Sequence, residues 1–453
     1  MHEEVRVAII GGGVTGLCAA HHLSKAFGTD SVLLIEGSDY VGGHTRTDQI
    51  DGFSCDWGPN GFLNREPLTL EWVDELGLTP ELVLANEAAA HRFILKNDQL
   101  IEILGPPKFL LQPLLSVKGR ARLLCEPMIR AKRDDAPESV WDFAARRIGR
   151  EAADMMVGPM VSGIFAGDAH ALSLAHCFPR MAAMERDYGT LFNALMAKRR
   201  VDKEASAMGP KGVLTSFAGG IGHLAQVATA KLGNRVRSGN RVTRLTKPNG
   251  TFRIETSAGL TVDAASVVVA VPAFAAAELT GELDPALSKT LRNIAYADCV
   301  VICTGYRKSH VSRDVNGFGF LVPRNQNKRL LGCLWTSSIF PKQAPDDWVL
   351  LRTIYGGYND PDVVRLDDAQ LLEHVRREVD PLLGISSKPE FVRIFRHFKG
   401  IPQYLLSHGT YLNEIEAAES RFPGLVMAGN AYRGVGLNDC VISAHRAVQR
   451  LTA

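Results

Sequence analysis

The sequence predicts a multidomain α/β protein, and three features of the chain lead to that fold class. A strand, a glycine-rich turn and an Ala/Leu-rich helix come first, strand patterns return in the middle, and a strand, glycine-rich loop and helix come last. Between residues 105 and 208 strand patterns fade and Leu, Met, Ala and Arg dominate, which predicts a helical insertion. A chain of 453 residues favours two or three domains, and the recurring signals predict a discontinuous, Rossmann-like one.

The first unit has the pattern of a dinucleotide-binding turn. Residues 5–10 form an apolar run, and Gly11, Gly13 and Gly16 follow in G-x-G-x-x-G register before the helix. Such glycines permit a tight strand-to-helix turn and leave the backbone open to a pyrophosphate, which the helix N–H groups then face. Glu36 ends a second apolar run twenty residues after Gly16, where a carboxylate can accept hydrogen bonds from ribose hydroxyls.

The middle of the chain is predicted to supply further strands. FAGGIGHLAQVA indicates a turn into a helix, and GFGFLVP and RLLGCLW indicate a second sheet within residues 299–353. A final strand is expected at 425–428 and a final helix from about Leu437. The other predicted strands are residues 235–245, 252–256 and 266–271.

The C-terminal glycine-rich segment predicts the second half of the same site. Gly429, Asn430, Gly434 and Gly436 free the backbone around the start of the last helix. A helix N-terminus favours electron-rich groups, and the pyrimidine edge of a flavin gains negative charge on reduction. Only one complete strand–G-x-G-x-x-G–helix unit is present, which indicates a flavin that passes electrons on without a nicotinamide nucleotide.

The composition excludes several classes of function. With 51 basic and 49 acidic residues the net charge is +2, so no general field for nucleic acid is expected. Eight isolated cysteines favour free thiols in a reducing, cytoplasmic compartment, and no histidine or cysteine spacing predicts a metal site. No signal peptide and no apolar run of about eighteen residues is found, and no G-x-S-x-G elbow favours a hydrolase.

One segment of the insertion suits a membrane surface. Residues 109–116, FLLQPLLS, are apolar, and apolar residues beside lysine and arginine fit the face of an anionic bilayer. They also fit an ordinary solvated helix that packs on its own core. The basic residues that follow are Lys118, Arg120, Arg122, Arg130, Lys132 and Arg133.

Ordered segments along nearly the whole chain match one group of flavoproteins: IIGGGVTGL with Glu36, VGGHTRT, GPNGF, VSGIFAGDAHALS, GFGFLVP, KGIPQY and AGNAYRGVGLNDC. On these segments the chain resembles the oxygen-dependent protoporphyrinogen oxidase family, within the amine-oxidase-type flavoproteins. The resemblance implies FAD, an architecture of the p-hydroxybenzoate-hydroxylase type, a mixed-sheet substrate domain and a helical membrane-binding insertion. It implies hydride transfer from protoporphyrinogen IX to FAD, reoxidation by dioxygen to hydrogen peroxide, and removal of six electrons in three rounds.

The resemblance also implies roles for residues at the substrate. Arg92 falls where the family uses an arginine against a substrate propionate, and a guanidinium fork suits a carboxylate. Leu321, Leu334 and Ile354 fall at positions that clamp the pyrrole rings. Gly167 falls where a backbone carbonyl faces the pyrrole nitrogens.

On the cofactor side the resemblance places Val242 against the adenine and assigns Gly43, Arg46 and Gly58 to the flavin site. Many relatives carry arginine or lysine directly after the glycine pair, where this chain has His44, so the phosphate contact of Arg46 is left open.

A peripheral position on the cytoplasmic membrane is expected, and a homodimer is compatible with the resemblance.

The same features predict the limits of three domains. The predicted limits are 1–78, 212–275 and 395–453 for the FAD domain, 79–104 and 276–394 for the substrate domain, and 105–211 for the helical domain.

Three other functions share parts of these features. Coproporphyrinogen III, with four propionates, is the substrate of some members of the family, although Arg92 and the helical insertion favour protoporphyrinogen. A flavin amine oxidase would share both flavin-binding segments, but Arg92 suits an anion rather than an amine. A binding protein on this scaffold, of the GDP-dissociation-inhibitor type, would not need both segments intact.

Overall fold

The computed structural model describes residues 2–105, 108–134, 136–201 and 212–453. The end of the predicted insertion, residues 202–211, lies outside the described residues. The strands are β1 (His2–Ile10), β2 (Val32–Ile35), β3 (Thr47–Ile50), β4 (Phe53–Asp56), β5 (Phe62–Leu63), β6 (Leu82–Leu84), β7 (Arg92–Lys96), β8 (Gln99–Glu102), β9 (Leu214–Phe217), β10 (Val236–Arg237), β11 (Val242–Thr246), β12 (Phe252–Thr256), β13 (Thr261–Val269), β14 (Ala295–Arg307), β15 (Gly319–Leu321), β16 (Leu330–Leu334), β17 (Trp348–Gly356), β18 (Phe391–Gln403) and β19 (Leu425–Met427).

The helices alternate with these strands and also form the insertion. They are α1 (Val14–Phe27), α2 (Pro67–Glu75), α3 (Val117–Leu124), α4 (Val140–Ile148), α5 (Arg150–Ala152), α6 (Gly158–Phe165), α7 (Leu174–Cys177), α8 (Pro179–Tyr188), α9 (Leu191–Val201), α10 (Gly222–Leu232), α11 (Ala273–Thr280), α12 (Pro285–Arg292), α13 (Thr336–Ile339), α14 (Asp368–Glu378), α15 (Asp380–Leu383), α16 (His408–Arg421) and α17 (Leu437–Thr452).

The first sheet is the doubly wound core that the sequence predicts. Its seven strands run in the order β10-β2-β1-β13-β12-β11, and β19 also pairs with β13. The strands β10, β2, β1, β13 and β19 are parallel, and β12 joins antiparallel. Helices α1, α10 and α17 pack against one face in a single apolar cluster, and α11, α12 and α16 cover the other. Start, middle and end of the chain therefore build one sheet.

One strand prediction in this sheet is wrong in detail. Residues 235–245, predicted as one strand, form β10 and β11 with a turn between them. The two pair with different partners, because β10 lies parallel to β2 whereas β11 lies antiparallel to β12. A local apolar pattern does not show where a strand changes its partner.

The second sheet is mixed and has the order β18-β14-β17-β16-β15-β7-β8. It takes β7 and β8 from before the insertion and the other strands from after residue 294. Strand β18 runs through the predicted limit at residue 394, and the domain limits stay a prediction. One face packs on α14 and α15, and the other approaches the segment that follows the glycine pair.

The described part of residues 105–211 is helical, from α3 to α9. Buried ion pairs tie these helices together: the fully buried guanidinium of Arg147 on α4 donates to the carboxylate of Glu126, and Arg146 bonds Glu138 and Glu185. Helix α6, which belongs to the insertion, packs over β15 and β16 of the second sheet. No helix in the described ranges is both long and apolar enough to cross a bilayer.

Candidate cofactor and substrate site

The glycines of the first turn are required for two different reasons. A Cβ on Gly16 would lie 1.9 Å from the carbonyl oxygen of Gly11, and a Cβ on Gly11 would lie 2.6 Å from that of Ala270. These two glycines therefore permit helix, turn and strand to touch. A Cβ on Gly13 would meet no described atom within 4 Å. The space before Gly13 is open, as a pyrophosphate cradle requires.

Helix α1 begins at this open space. Gly13 is its N-cap, and no side chain of the described residues caps it, so its first N–H groups can bind an anion. Both oxygens of the Glu36 carboxylate accept backbone N–H groups, from Gly12 and Ser38, each at 2.7 Å. These bonds fix the carboxylate beside the turn, and each oxygen keeps a lone pair for a ribose hydroxyl.

The C-terminal segment joins the same site. The Thr15 hydroxyl donates to the carbonyl of Cys440 at 3.3 Å, which brings the starts of α1 and α17 together. Gly429 has φ +120°, and a Cβ there would meet only Thr15, at 4.0 Å. The carbonyl of Asn430 accepts from the Tyr404 hydroxyl, and Gly436 is the N-cap of α17. The structure thus brings together both predicted halves, which are over 400 residues apart.

The glycine pair and the predicted adenine contact also lie here. Gly42 donates to the carbonyl of Gly12 at 2.8 Å, and a Cβ on Gly43 would lie 3.4 Å from the Cα of Gly13. Val242 is buried at the start of β11, beyond the turn in which the Asn240 N–H donates to the Glu36 carbonyl at 2.9 Å. The glycine pair therefore lies beside the first turn, and Val242 lies near Glu36, the acidic residue of that unit.

Arg46 and Gly58 lie on the next stretch of chain. The Arg46 guanidinium lies between two rings, 4.6 Å from the centroid of Tyr40 and 4.2 Å from that of Trp57. Its described contacts are thus aromatic, with the Asp48 carboxylate 3.6 Å away. A Cβ on Gly58 would lie 2.6 Å from the carbonyl oxygen of His44, so only glycine fits where these two segments meet.

The predicted substrate residues share one face of the second sheet. Pairing places Arg92 beside Gly319, Gly319 beside Leu334 and Leu334 beside Arg352. Leu321 lies two residues after Gly319, and Ile354 lies two residues after Arg352. They therefore form a second row on the same face. Pairing set by the fold brings together residues separated by up to 262 positions, and we name this surface the substrate face.

The substrate face adjoins the cofactor side of the molecule. Phe395 of β18 stacks on Trp57 with ring centroids 5.0 Å apart, and the Arg352 guanidinium donates to the Gly58 carbonyl. From the insertion, α6 approaches so closely that a Cβ on Gly163 would lie 2.8 Å from Leu321. The face is therefore bounded by the cofactor segment on one side and by the insertion on another.

Arg92 has the features of an anion site. Its guanidinium lies 5.0 Å from the centroid of the Phe318 ring, and no carboxylate of the described residues lies within 4.0 Å of it. Partial burial lowers the pKa of Arg92 from its usual value. Arg92 is solvent-exposed, and an exposed cation on this face, without a carboxylate partner among the described residues, favours a ligand carboxylate.

Gly167 lies where the insertion meets β18. A Cβ there would lie 2.6 Å from both Oε1 of Gln403 and Cδ1 of Leu172, so a larger residue would not fit. Its carbonyl accepts from the Ser162 hydroxyl at 3.4 Å. Buried Gln403 donates to the Phe165 carbonyl, whereas its Oε1 has no partner among the described residues. The contact of the Gly167 carbonyl with a pyrrole stays a prediction.

Sequence reasoning missed two groups at this boundary. Arg352 is buried with its Nε unpartnered among the described groups, and nothing in the local pattern of β17 distinguishes it from a surface arginine. Nδ1 of His44 lies 3.1 Å from Nδ1 of His397, a pair that only the fold creates. For the histidine pair the sequence offered one signal, since His44 stands where many relatives carry arginine or lysine.

Three groups of possible ligands among the described residues differ from the expectation of no metal-ligand grouping, and one of them includes a buried cysteine. Cys18 and His22 on α1 and His445 on α17 bring possible ligand atoms within 4.8 Å of one another. Burial raises the pKa of the Cys18 thiol well above its usual value and lowers that of His22 to about 4. A neutral thiol between neutral imidazoles is a weak ligand set, and core packing accounts for the cluster.

The model of the family described as flavin-containing amine oxidoreductase matches residues 14–452. The chain belongs to this family. It is 31% identical over 459 residues to coproporphyrinogen III oxidase of Bacillus subtilis (strain 168), covering 98% of this chain and 97% of that protein. It is 30% identical to chloroplastic protoporphyrinogen oxidase 1 of Arabidopsis thaliana, over 96% of this chain and 86% of that one.

Solved structures show the same fold. A protein from Exiguobacterium sp. 255-15 whose crystal structure is assigned to protoporphyrinogen oxidase superposes with TM-score 0.86 at 24% identity, covering 99% of this chain and 98% of that one. A redesigned putrescine oxidase superposes with TM-score 0.72 at 16% identity, over 100% and 99% of the two chains. The protein is a flavin oxidoreductase whose cofactor is FAD, and the open cradle at Gly13 fits it.

Proposed function

We propose that this flavoenzyme oxidises protoporphyrinogen IX to protoporphyrin IX, with dioxygen as the electron acceptor. The observation that carries the proposal is the substrate face: Leu321, Leu334 and Ile354 form an apolar surface, and Arg92 lies on it without a carboxylate partner among the described residues. Such a surface suits a large apolar ring with anionic side groups. Bound FAD would accept the hydride, and dioxygen would then reoxidise the reduced flavin.

The residues of this face then have separate tasks. The Arg92 guanidinium binds a propionate in a charge-assisted pair, and the three aliphatic side chains hold the ring by contact area. The Gly167 carbonyl accepts from a pyrrole N–H. Because only the macrocycle and its propionates are recognised, a small amine would leave Arg92 unpaired.

A second substrate has its own support. The Bacillus subtilis relative is a coproporphyrinogen III oxidase, and that substrate carries propionates in place of vinyl groups. Arg352 and Arg393 continue the row that begins at Arg92 across the second sheet. These cations are the groups that could accept further propionates.

The experiment is a fluorescence assay of porphyrin formation with protoporphyrinogen IX and coproporphyrinogen III in parallel, plus a panel of amines. We expect both flavin bleaching without oxygen and porphyrin emission with oxygen, and a kcat/KM at least tenfold higher for protoporphyrinogen. A preference for coproporphyrinogen III would contradict the proposed substrate but leave the proposed type of reaction, oxidation of a porphyrinogen, in place. Turnover of amines alone would overturn both, and a colourless protein that binds no FAD would favour a binding protein.

We also propose that the insertion contacts a membrane surface. Leu111 is 83% exposed and Met128 is 74% exposed, and Val117 and Leu124 are exposed as well. Lys118 lies between them on α3. Apolar side chains beside a cation favour an anionic bilayer. The free energy of burying the apolar side chains and the attraction of the cation to anionic lipids both stabilise binding.

Vesicle sedimentation tests this contact. We expect binding to vesicles of phosphatidylglycerol, weaker binding to phosphatidylcholine, and loss in a Leu111→Ser/Met128→Ser double variant. Leu84→Ser is the control, because Leu84 is also exposed but lies in β6, outside the insertion. Equal sedimentation of the double variant and the wild type would contradict the proposal.

A further inference from the structure

Two imidazoles meet where the cofactor segment reaches the substrate face. His44 follows the glycine pair, and His397 belongs to β18. Their Nδ1 atoms lie 3.1 Å apart, and Nε2 of His397 lies 3.0 Å from the Trp57 carbonyl oxygen. The pair therefore spans the boundary between the two parts of the predicted site.

The hydrogen bonds determine the tautomers of both rings. A carbonyl only accepts, so Nε2 of His397 carries a hydrogen, and the neutral ring then has a bare Nδ1. That Nδ1 accepts, so His44 donates from its own Nδ1. Nε2 of His44 is left as a lone pair, with no hydrogen-bond partner among the described residues. His44 is a base that its neighbour holds in one orientation.

Both imidazoles are neutral near pH 7. Burial lowers the pKa of His44, and burial together with His44 and Arg352 lowers that of His397 to about 4, against the raising effect of the Trp57 carbonyl. His44 is nonetheless exposed on one side, as expected for a side chain in the wall of a crevice. The thiol of Cys299, which pairs with His397 across the sheet, is also neutral because burial raises its pKa to about 12.

The position suits a reaction on the substrate face. Pairing places His397 in the row of Cys299 and Gly356, two residues along the strands from the row of Ile354 and Val301. Two strand spacings and two residues correspond to roughly 12 Å, the scale of a tetrapyrrole ring. The separation of Ile354 from the pair is therefore comparable to the width of the macrocycle.

The proposed reaction needs a proton acceptor. Over three rounds the ring would lose three hydrides and three protons, of which two come from pyrrole N–H groups and one from the fourth bridging carbon. In the first round a hydride leaves a bridging carbon for the flavin, a proton leaves a pyrrole N–H, and a carbon–nitrogen double bond forms in conjugation. We propose that His44 Nε2 accepts this proton as a catalytic base and that His397 is its positioning residue. The inference rests on the proposed function. Protonation leaves the Nδ1–H bond to His397 in place and makes it charge-assisted, so no rearrangement is needed.

The first test is the anaerobic rate of flavin bleaching by protoporphyrinogen IX between pH 5 and 9. In the wild type the rate falls as pH drops through the lowered pKa of His44, because protonated His44 cannot accept. His44→Gln slows it by about 10²–10⁴-fold and removes the pH dependence. Added imidazole restores part of the rate in His44→Gly. His223→Gln, which changes a half-buried imidazole paired with Glu81, leaves rate and profile unchanged.

Variants at His397 separate positioning from structure. His397→Gln can still accept from His44 and donate to the Trp57 carbonyl, so we expect a rate within several-fold of the wild type. His397→Leu cannot, and we expect a loss close to that of His44→Gln. FAD content and Tm are measured for each variant, and a loss of rate without a change in pH profile would indicate a structural role only.

A readout independent of turnover is the ¹⁵N spectrum of histidine-labelled protein. We expect His44 protonated at Nδ1 and bare at Nε2, and His397 with the opposite tautomer. A proton on Nε2 of His44, or His44→Gln with wild-type rate and profile, would overturn this inference alone. If the wild type oxidises neither porphyrinogen, the proposed function fails instead, whatever the tautomers.

Discussion

Gly13 and Gly16 lie one helical turn apart and do different things. A Cβ on Gly16 would overlap the Gly11 carbonyl, whereas one on Gly13 would enter open space. We expect Gly16→Ala to lower the unfolding free energy by more than about 3 kcal/mol, since backbone must move. Gly13→Val should fold with nearly wild-type apo-protein Tm yet fail to retain FAD. Thermal unfolding and flavin absorbance measure both, and full FAD occupancy in Gly13→Val would contradict the cradle.

Arg92 is the residue on which substrate affinity should depend. Arg92→Ala removes a charge-assisted bond made equally in ground and transition states, so KM rises about 10–100-fold and kcat changes little. Arg92→Lys keeps the charge without the fork and should lie between. Arg324→Ala is the control, because Arg324 is exposed and already paired with Asp168. Unchanged steady-state kinetics in Arg92→Ala would remove it from the site.

Helices of the insertion depend on one buried carboxylate. Glu126 accepts from Arg147 and from the N–H groups of Leu191 and Phe192, at 2.8 and 3.1 Å, where α9 begins. Glu126→Gln removes one of the two carboxylates that face the buried guanidinium, the other being Glu185 at 3.2 Å, and we expect a loss of about 1–3 kcal/mol. Hydrogen exchange should accelerate in α9 first, with FAD content retained.

The matched control is an exposed pair. Arg244→Ala breaks the bond to Glu282 on the surface of the first sheet and should leave the stability almost unchanged, because solvent screens an exposed pair. Equal effects of the two variants would show that the insertion is held by apolar packing instead.

Helix α12 carries a pH-dependent cap. Asp284 accepts from the N–H groups of Ala286 and Leu287 and from Arg421; burial alone would raise its pKa, but these bonds outweigh it and the pKa is lowered. A lowered folded-state pKa means that this contribution is full above about pH 4 and is lost as pH falls through the folded value. Asp284→Asn keeps the cap and should flatten this part of the acid unfolding curve. An unchanged curve would contradict the assignment.

At the scale of the whole molecule, helices from the first and last segments of the chain meet at the predicted FAD site. Val441, Ala444 and Ala447 of α17 share a core with Leu17 and Ala20 of α1, and both helices start at the same crevice. FAD added to apo-protein should therefore slow hydrogen exchange at 11–17 and 428–440 together. At 100 times its Kd it should stabilise the fold by about 2.7 kcal/mol. Protection confined to the N-terminal segment would contradict a shared site.

Much of the cofactor side could be predicted from the sequence. Strand, glycine register, helix and Glu36 lie within the first 36 residues, and each depends on backbone geometry that neighbouring residues set. The last strand and helix were also predicted closely, since their apolar periods are local. The roles of the individual substrate residues stay predictions, although their common face agrees with them.

The sequence by itself determined the dinucleotide turn, the flavin class and the helical insertion, because short-range hydrogen bonds and apolar periodicity encode them. Only the tertiary structure decided that Arg92, Leu334 and Ile354 share a face, that Arg352 is buried, and that His44 reaches His397 across 353 positions. Those juxtapositions depend on strand order and register. No local pattern specifies them, since the energy that fixes register comes from burying the whole sheet at once.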